Sequence, residues 1–415
     1  MAIVTRVASL SLRNTTSGGI FVNEQDGATL TAIDGTVTSS VVSGGSSGVV
    51  ALTLDSGDLT VNGAITSTAT AGHVFLGATL GNITVNQQIN SAHGHVTINA
   101  KQNLTLDATA ASSRTGGIVL AETTVDRNIE LVSQLGSLIM TAGALLDTSA
   151  HSGAIRLTSS QNVQLGKVRA GTGTVSIKAT SGSVTLAASS SGNAVTAGKL
   201  RIEAATGVGI DVTPTPAVIQ AITTDVASLA VSTSSGGVFI TEASGLILDS
   251  IAAATVGVVD AAGVITSSSA GTALSGITTT AGAVAIQTVA GDLTVSQALM
   301  ANGGDHVLLK ASGALTVNAQ VTSSGVTGAV SLLSGSAQTY GAAGDVTAGL
   351  GIDAEAGYNV TGTSALTMDA GTVFLTQGGV IRLIADGSLV LGLLDTRKTS
   401  DATQWGLVGV NSQSG

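Results

Sequence analysis

Two spacings in this 415-residue chain place groups where they can do chemistry. His93-Gly-His95 is the only close histidine pair. Imidazoles at i and i+2 on a strand share a side and can share a metal ion. No third ligand stands near them in sequence, so the pair reads as two polar residues at a turn, and no metal site is expected. Asp353 and Glu355 also share one side of a strand, because Ile352, Ala354 and Ala356 take the other. Paired carboxylates can act as acid and base. On an exposed strand surface they keep a protein soluble, which is the expectation here.

The sequence has no Walker loop, no HExxH and no EF-hand loop. Gly303-Gly-Asp305 and Gly344-Asp345 are isolated rather than tandem, and the calcium-binding glycine-rich nonapeptide is absent. The absence of cysteine removes disulfides, thiol catalysis and thiolate metal sites. The aspartates are scattered with no arginine cluster beside them, and aromatics are 2% of the chain, too few for a sugar-stacking platform. The Thr-rich stretches Thr66–Thr70 and Thr278–Thr280 do not recur on every repeat, so they read as ordinary turn and strand-surface residues. The expectation is a non-catalytic protein with no catalytic, cofactor-binding or metal residues and no cofactor.

Composition narrows the class further. Net charge is −10 with only 15 basic residues, which disfavours binding to nucleic-acid phosphates. Hydrophobic residues make up 43% against 10% charged, the reverse of a disordered chain. Val, Ile and Thr fit a pleated, half-buried surface. No apolar run of about 18 residues is present to span a membrane as a helix. Arg6 and Arg13 interrupt the first residues, so these do not read as a signal peptide. If the protein is secreted, its export signal is not in this stretch, and the chain could then be a fragment of something longer.

The elements that position any site come from repetition. A phrase of glycine, any residue, then aliphatic–polar–aliphatic recurs, as in Gly94–Ala100, Gly136–Ala142, Gly173–Ala179, Gly182–Ala188, Gly198–Ala204 and Gly379–Leu383. Its period of two marks strands, with Val175, Ile177 and Ala179 on one side and Thr174, Ser176 and Lys178 on the other. Shorter strands follow Asn82, Asn103, Asn128 and Asn162; Asn and Gly tolerate the left-handed backbone of a tight corner. The steps from Val96 to Ile118, Ile118 to Leu138, Ile155 to Val175, Val163 to Val184, Leu293 to Leu315 and Val307 to Val330 are nearly equal. Each has the length of one coil of a β-helix. Leucine-rich and helical periods are absent.

The fold class predicted is all-β, a right-handed parallel β-helix (β-solenoid) with about 20–25 residues per coil and roughly 19 coils, about 90 Å long. Phe21, Phe75, Phe239 and Phe374 all stand three positions after a glycine, between two aliphatics. Alternation points them outward unless the coil is bulged there. A longer repeat is superimposed: Val7–Leu10 recurs at Val226–Leu229, Gly57–Val61 at Gly291–Val295 and Gly81–Asn86 at Gly313–Asn318. Residues 1–225 read as a first block and 226–394 as a second continuing it, with Gly371–Leu375 as the start of a third. Residues 395–415, with the charged Asp395–Asp401 and the lone Trp405, read as an irregular end segment or cap.

The phrases Gly-Asp-Leu-Thr-Val, Gly-Asn-Ile-Thr-Val-Asn and Gly-His-Val-Thr-Ile-Asn-Ala resemble the coils of filamentous-haemagglutinin-like exoproteins. The Ser-Gly-Gly-Ile-Phe-Val-Asn-Glu phrase at 17–24 looks like the arrays of giant bacterial surface proteins, and the resemblance covers nearly the whole chain. It implies a right-handed β-helix, export across the outer membrane, and an extracellular or cell-surface role in adhesion, aggregation or biofilm. The family's Asn-Pro-Asn-Gly secretion motif is not matched, since the only prolines are Pro214 and Pro216. The implied function is a structural scaffold or adhesin stalk. The alternative is a self-assembling filament subunit stacking end to end; a carbohydrate-active β-helix enzyme ranks third. Expected partners are copies of itself or other cell-surface components, without nucleic acid or membrane insertion.

Overall fold

A computed structural model describes residues 2–32, 39–44, 48–68, 71–107, 117–120, 127–188, 190–211, 218–269, 271–360, 362–398 and 400–412. Pro214 and Pro216 lie outside them. The described residues are all-β, without a helix, and form a parallel β-solenoid. They divide into two compact units: Met1–Lys199 with Ala253–Thr272, and Leu200–Ala252 with Ala273–Gly415.

Each coil of the first unit contributes three strands. The long first face stacks Ile3–Thr5, Ile20–Glu24, Val50–Leu54, Val74–Ala78, Val96–Ala100, Ile129–Ser133, Ile155–Ser159 and Thr174–Ala179 in parallel. The short second face includes Leu59–Val61, Ile83–Val85, Leu104–Leu106, Leu138–Met140 and Val163–Leu165. The third includes Ala64–Ser67, Ile89–Ser91, Gly117–Leu120, Leu145–Asp147 and Lys167–Arg169. The second unit repeats the plan. Its first face runs Val238–Glu242, Val284–Thr288, Val307–Ala311, Ala329–Ser334, Gly351–Ala356, Val380–Ala385 and Val408–Ser412.

Alternation sends one set of side chains inward on every face, and the stacking makes columns. On the second face Leu59, Ile83, Leu104, Leu138, Val163 and Val184 pair in register and are fully buried. Each such side chain contributes on the order of 1.5–3 kcal/mol by leaving water. Each column member touches mainly the coils above and below, so stability is a chain of nearest-neighbour contacts. The interior of the second unit also holds Tyr340, edge-on to Phe374 at 4.9 Å. Tyr340 donates to Gln338 Oε1 at 2.5 Å, and Gln338 donates to the Leu332 and Glu355 carbonyls, so this polar plug is satisfied.

The stacking refines several sequence expectations. Ile155–Val175, Val163–Val184, Leu293–Leu315 and Val307–Val330 are true coil-to-coil pairs. Val96 instead pairs with Ile129, and Ile118 with Ile89, because an insertion lengthens this coil. The strand after Asn128 belongs to the long face rather than the short one. Among described residues, only Ser152 and Asn359 are non-glycines with positive φ, so the corner asparagines are not left-handed. They act through side chains. Asp58 Oδ1 accepts from Asn82 N at 2.7 Å, Asn82 Oδ1 from Asn103 N at 3.0 Å, and Asn103 Oδ1 from Ser137 N at 2.8 Å. Left-handed glycines do serve the tightest corners: Gly57, φ 74°, has no room for a Cβ, which would sit 2.5 Å from Gly27 N.

Phe21, Phe75 and Phe239 point outward, each between two buried neighbours. Phe374 points inward on the third face, where it pairs with Val346. Gly371–Leu375 therefore matches the other three phrases in sequence but not in position. In the end segment, Arg397–Lys398 pairs antiparallel with Asp401–Trp405, and Val408–Ser412 rejoins the long face.

Candidate functional site

The long face places one outward row in each unit. In the first unit register aligns Phe21, Ala51, Phe75, Thr97, Glu130, Arg156 and Ser176. Outward side chains on a solenoid normally meet water. Here Ala51, Thr97, Glu130, Arg156 and Ser176 are buried. The cover is an antiparallel hairpin, Thr255–Val259 with Ile265–Ser269. Asp260 Oδ1 accepts from Ala262 N and Val264 N, which closes the turn.

The hairpin is held by its backbone. Val259 N donates to Thr97 Oγ1 at 2.9 Å and Ala254 N to Ser176 Oγ at 3.2 Å. Val256 and Val259 are buried. Gly257 lies so close to His95 that a Cβ would come within 2.7 Å of the ring. Arg156 is the central grip. Its Nε donates to Glu130 Oε1 at 2.9 Å, and Nη2 donates to the same oxygen. Nη1 donates to the Ser268 carbonyl at 2.9 Å and Nη2 to Ser268 Oγ at 3.2 Å. A buried ion pair is tolerable when its remaining donors are satisfied, and the hairpin supplies that satisfaction.

The histidines are brought together differently from the sequence pairing. His95 stacks on His73 of the preceding coil, centroids 5.4 Å apart. His73 Nδ1 accepts from His95 N at 2.9 Å, and His95 Nδ1 from Asn128 N at 3.2 Å. Both rings continue the side-chain ladder that Asn and Asp build at the other corner. Burial is the main cause that lowers both to a pKa of about 4, with Arg127 adding to it for His73 and His73 itself adding to it for His95. Neutral rings with occupied Nδ1 atoms are structural. No group of three or more His, Asp or Glu able to hold a metal exists among the described residues.

The second unit aligns Phe239, Ala285, Leu308, Ser331, Asp353 and Arg382 in the corresponding row. Asp353 and Glu355 do share the outward side, as read from the sequence. Arg382 comes from the next coil, donating to Asp353 Oδ2 at 2.6 Å and Glu355 Oε2 at 3.3 Å. The carboxylates hold its proton more tightly, the hydrogen bond to Asp353 contributing most. Asp353 Oδ1 is buried without a hydrogen-bond partner among the described residues. Nearby, a cleft of about 270 Å³ is lined by Lys310, Ser312 and Tyr358, with Lys310 Nζ 5.4 Å from the Tyr358 ring centre.

Arg382 was legible: Gly379–Leu383 is one of the repeat phrases, and alternation puts its arginine outward. Its pairing with Asp353 of the neighbouring coil appears only once the coils are stacked. The two isolated aspartates are corner acceptors, Asp305 Oδ2 for Gly282 N and Asp345 Oδ1 for Val373 N. The sequence reading missed two buried glutamates. Glu24 accepts from Thr5 Oγ1 and Val7 N, and Glu242 from Thr224 Oγ1 and Val226 N. The duplicated Val-Ala-Ser-Leu phrase was their signal, because it brings the same amide to the same carboxylate in both blocks. Gly44-Gly-Ser-Ser-Gly48 also spells a nucleophile-elbow pattern, although Ser46 lies outside the described residues. An elbow needs a following helix, and a strand, Val50–Leu54, follows here.

Comparison with known proteins gives no match to a family model, to a curated protein or to a solved structure. No helix among the described residues is long and apolar enough to cross a membrane.

Proposed function

We propose that the chain is a non-catalytic structural scaffold or adhesin stalk of a bacterial cell-surface protein. The observation that carries this reading is the use of its chemical groups. The stacked histidines, the corner aspartates and the buried glutamates are each engaged in holding coils together, and the inward columns are packed aliphatics. Surface placement and adhesion rest on the resemblance to filamentous-haemagglutinin-like exoproteins. The rival enzymatic reading has one foothold, the Asp353–Glu355–Arg382 group on adjacent coils.

The test is turnover on a panel of acidic and neutral polysaccharides, comparing the chain with Asp353→Asn. The scaffold reading expects no new reducing or unsaturated ends from either. Turnover that Asp353→Asn abolishes overturns it. Light scattering across a concentration series separates the stalk, whose mass stays constant, from the end-to-end filament subunit, whose mass grows.

A further inference from the structure

The two outward rows carry the same chemistry in the same order. Phe21, Ala51, Phe75, Thr97, Glu130 and Arg156 correspond coil by coil to Phe239, Ala285, Leu308, Ser331, Asp353 and Arg382. Each row reads aromatic, alanine, large apolar, hydroxyl, acid, arginine. In the first unit that row is the seat of a hairpin.

The hairpin is an insertion in the second block. Before it, Gly18 and Glu24 recur with one common offset, at Gly236 and Glu242. After it, Gly57 recurs at Gly291, and this offset is larger by close to the length of Thr255–Ser269. Among the described residues, two equivalent seats are thus matched by one hairpin of this kind. The seated arginine and acid expose 7% each of their side chains, whereas Arg382 and Asp353 expose 46% and 34%. Ser331 offers a hydroxyl where Thr97 accepts the Val259 amide.

We infer that the row from Phe239 to Arg382 is a docking surface for a β-hairpin of the Ala253–Thr272 type, presented by another molecule. Arg382 grips a main-chain carbonyl of that hairpin, as Arg156 grips Ser268. Ser331 accepts a main-chain N–H, as Thr97 does. The inner strand of the occupant needs small or β-branched residues, as in Val256-Gly-Val-Val259, because a flat strand must pass close over the row. Backbone-mediated addition of an extended segment is an established mode of peptide recognition.

The experiment uses the full chain and a peptide of residues Ala253–Thr272, cyclised through a second tight turn so that it is already a hairpin, and fluorescently labelled. Anisotropy titrations are run against the unaltered chain, Arg382→Ala, Arg382→Lys and Ser331→Ala. The expected result is saturable binding, weakened at least tenfold by Arg382→Ala, less by Arg382→Lys, and several-fold by Ser331→Ala. Circular dichroism shows that the variants remain folded; both positions are outward, so folding is expected to persist. Absence of saturable binding overturns the inference. Binding undiminished by Arg382→Ala also overturns it, since the peptide is then exchanging with the resident hairpin or seated elsewhere.

Discussion

In the first unit, an arginine bridges an outward glutamate and a hairpin backbone, and both charged side chains are 7% exposed. In the second, an arginine at the corresponding place bridges Asp353 and Glu355 and is 46% exposed. Sequence chemistry is alike; solvent is not. The comparison teaches that a solenoid coil fixes where a side chain points, while its energetic weight is set by what covers it. Coulomb attraction grows as water leaves, and so does the cost of an unpaired charge.

The sharpest break of the comparison is Arg156→Ala. It leaves Glu130 buried without its donor and takes a donor from the part-buried Ser268 carbonyl, and the expected loss is about 3–5 kcal/mol. Denaturant unfolding followed by hydrogen exchange should show the loss in the strands from Val96 to Ala179. The paired change Glu130→Leu with Arg156→Met should recover most of it, because two apolar groups leave no orphan charge. Loss confined to the second unit would contradict the assignment of the hairpin to the Arg156 row.

The pH responses of the two units should oppose each other. His73 and His95 have folded pKa values of about 4, below the ordinary 6.5. Their contribution is complete above about 6.5 and is lost as pH falls from there through 4, because the unfolded chain binds the protons first. Glu242 has the opposite sign. Burial raises its pKa above 4.5, against the hydrogen bonds from Thr224 and the Ser244 and Val226 amides. Its contribution is full below 4.5 and declines as pH rises toward the folded value. Replacing both His73 and His95 with Asn keeps a ladder acceptor and removes the titration. The acid-side slope of the first unit should flatten, with little change on the alkaline side, in hydrogen exchange across a pH series.

Smaller again is the effect of filling the hairpin contact. Gly257→Ala puts a methyl 2.7 Å from His95, so strand or ring must shift. Overpacking of this kind costs about 1–3 kcal/mol. Faster exchange at the Val259 and Ala254 amides, which donate to Thr97 and Ser176, is the expected signature. Unchanged exchange at those amides would mean the hairpin is not closely seated.

How far the sequence carried this reading can be judged residue by residue. The period of two at Gly173–Ala179 and the spacing from Val163 to Val184 were legible because strands and coils are local regularities. Asp353 and Glu355 could be placed on one side for the same reason. The stacking of His73 on His95 was not read, because the nearer His93 suggested a pairing within one coil. The hairpin was invisible for a deeper reason. Thr255–Ser269 alternates like any other strand pair, and nothing local says that it leaves the coil path to lie over Thr97 and Arg156, both far back in the chain. Only the break in the long repeat hints at extra chain there: Gly291 lies farther from Gly57 than Gly236 does from Gly18.

The smallest expected effect is the one that tests the comparison in energy. Arg382→Ala removes a pair whose arginine is nearly half exposed, so solvent screens most of its attraction, and the expected cost is below about 1 kcal/mol. Raising the salt concentration should shrink that cost further, whereas the cost of Arg156→Ala should scarcely respond, since buried pairs are screened far less. Unfolding of both variants at low and high ionic strength checks this directly. If Arg382→Ala instead costs several kcal/mol, insensitive to salt, then its row is already covered in the purified protein. The partner hairpin would have to come from a second copy, visible as a stability that rises with protein concentration.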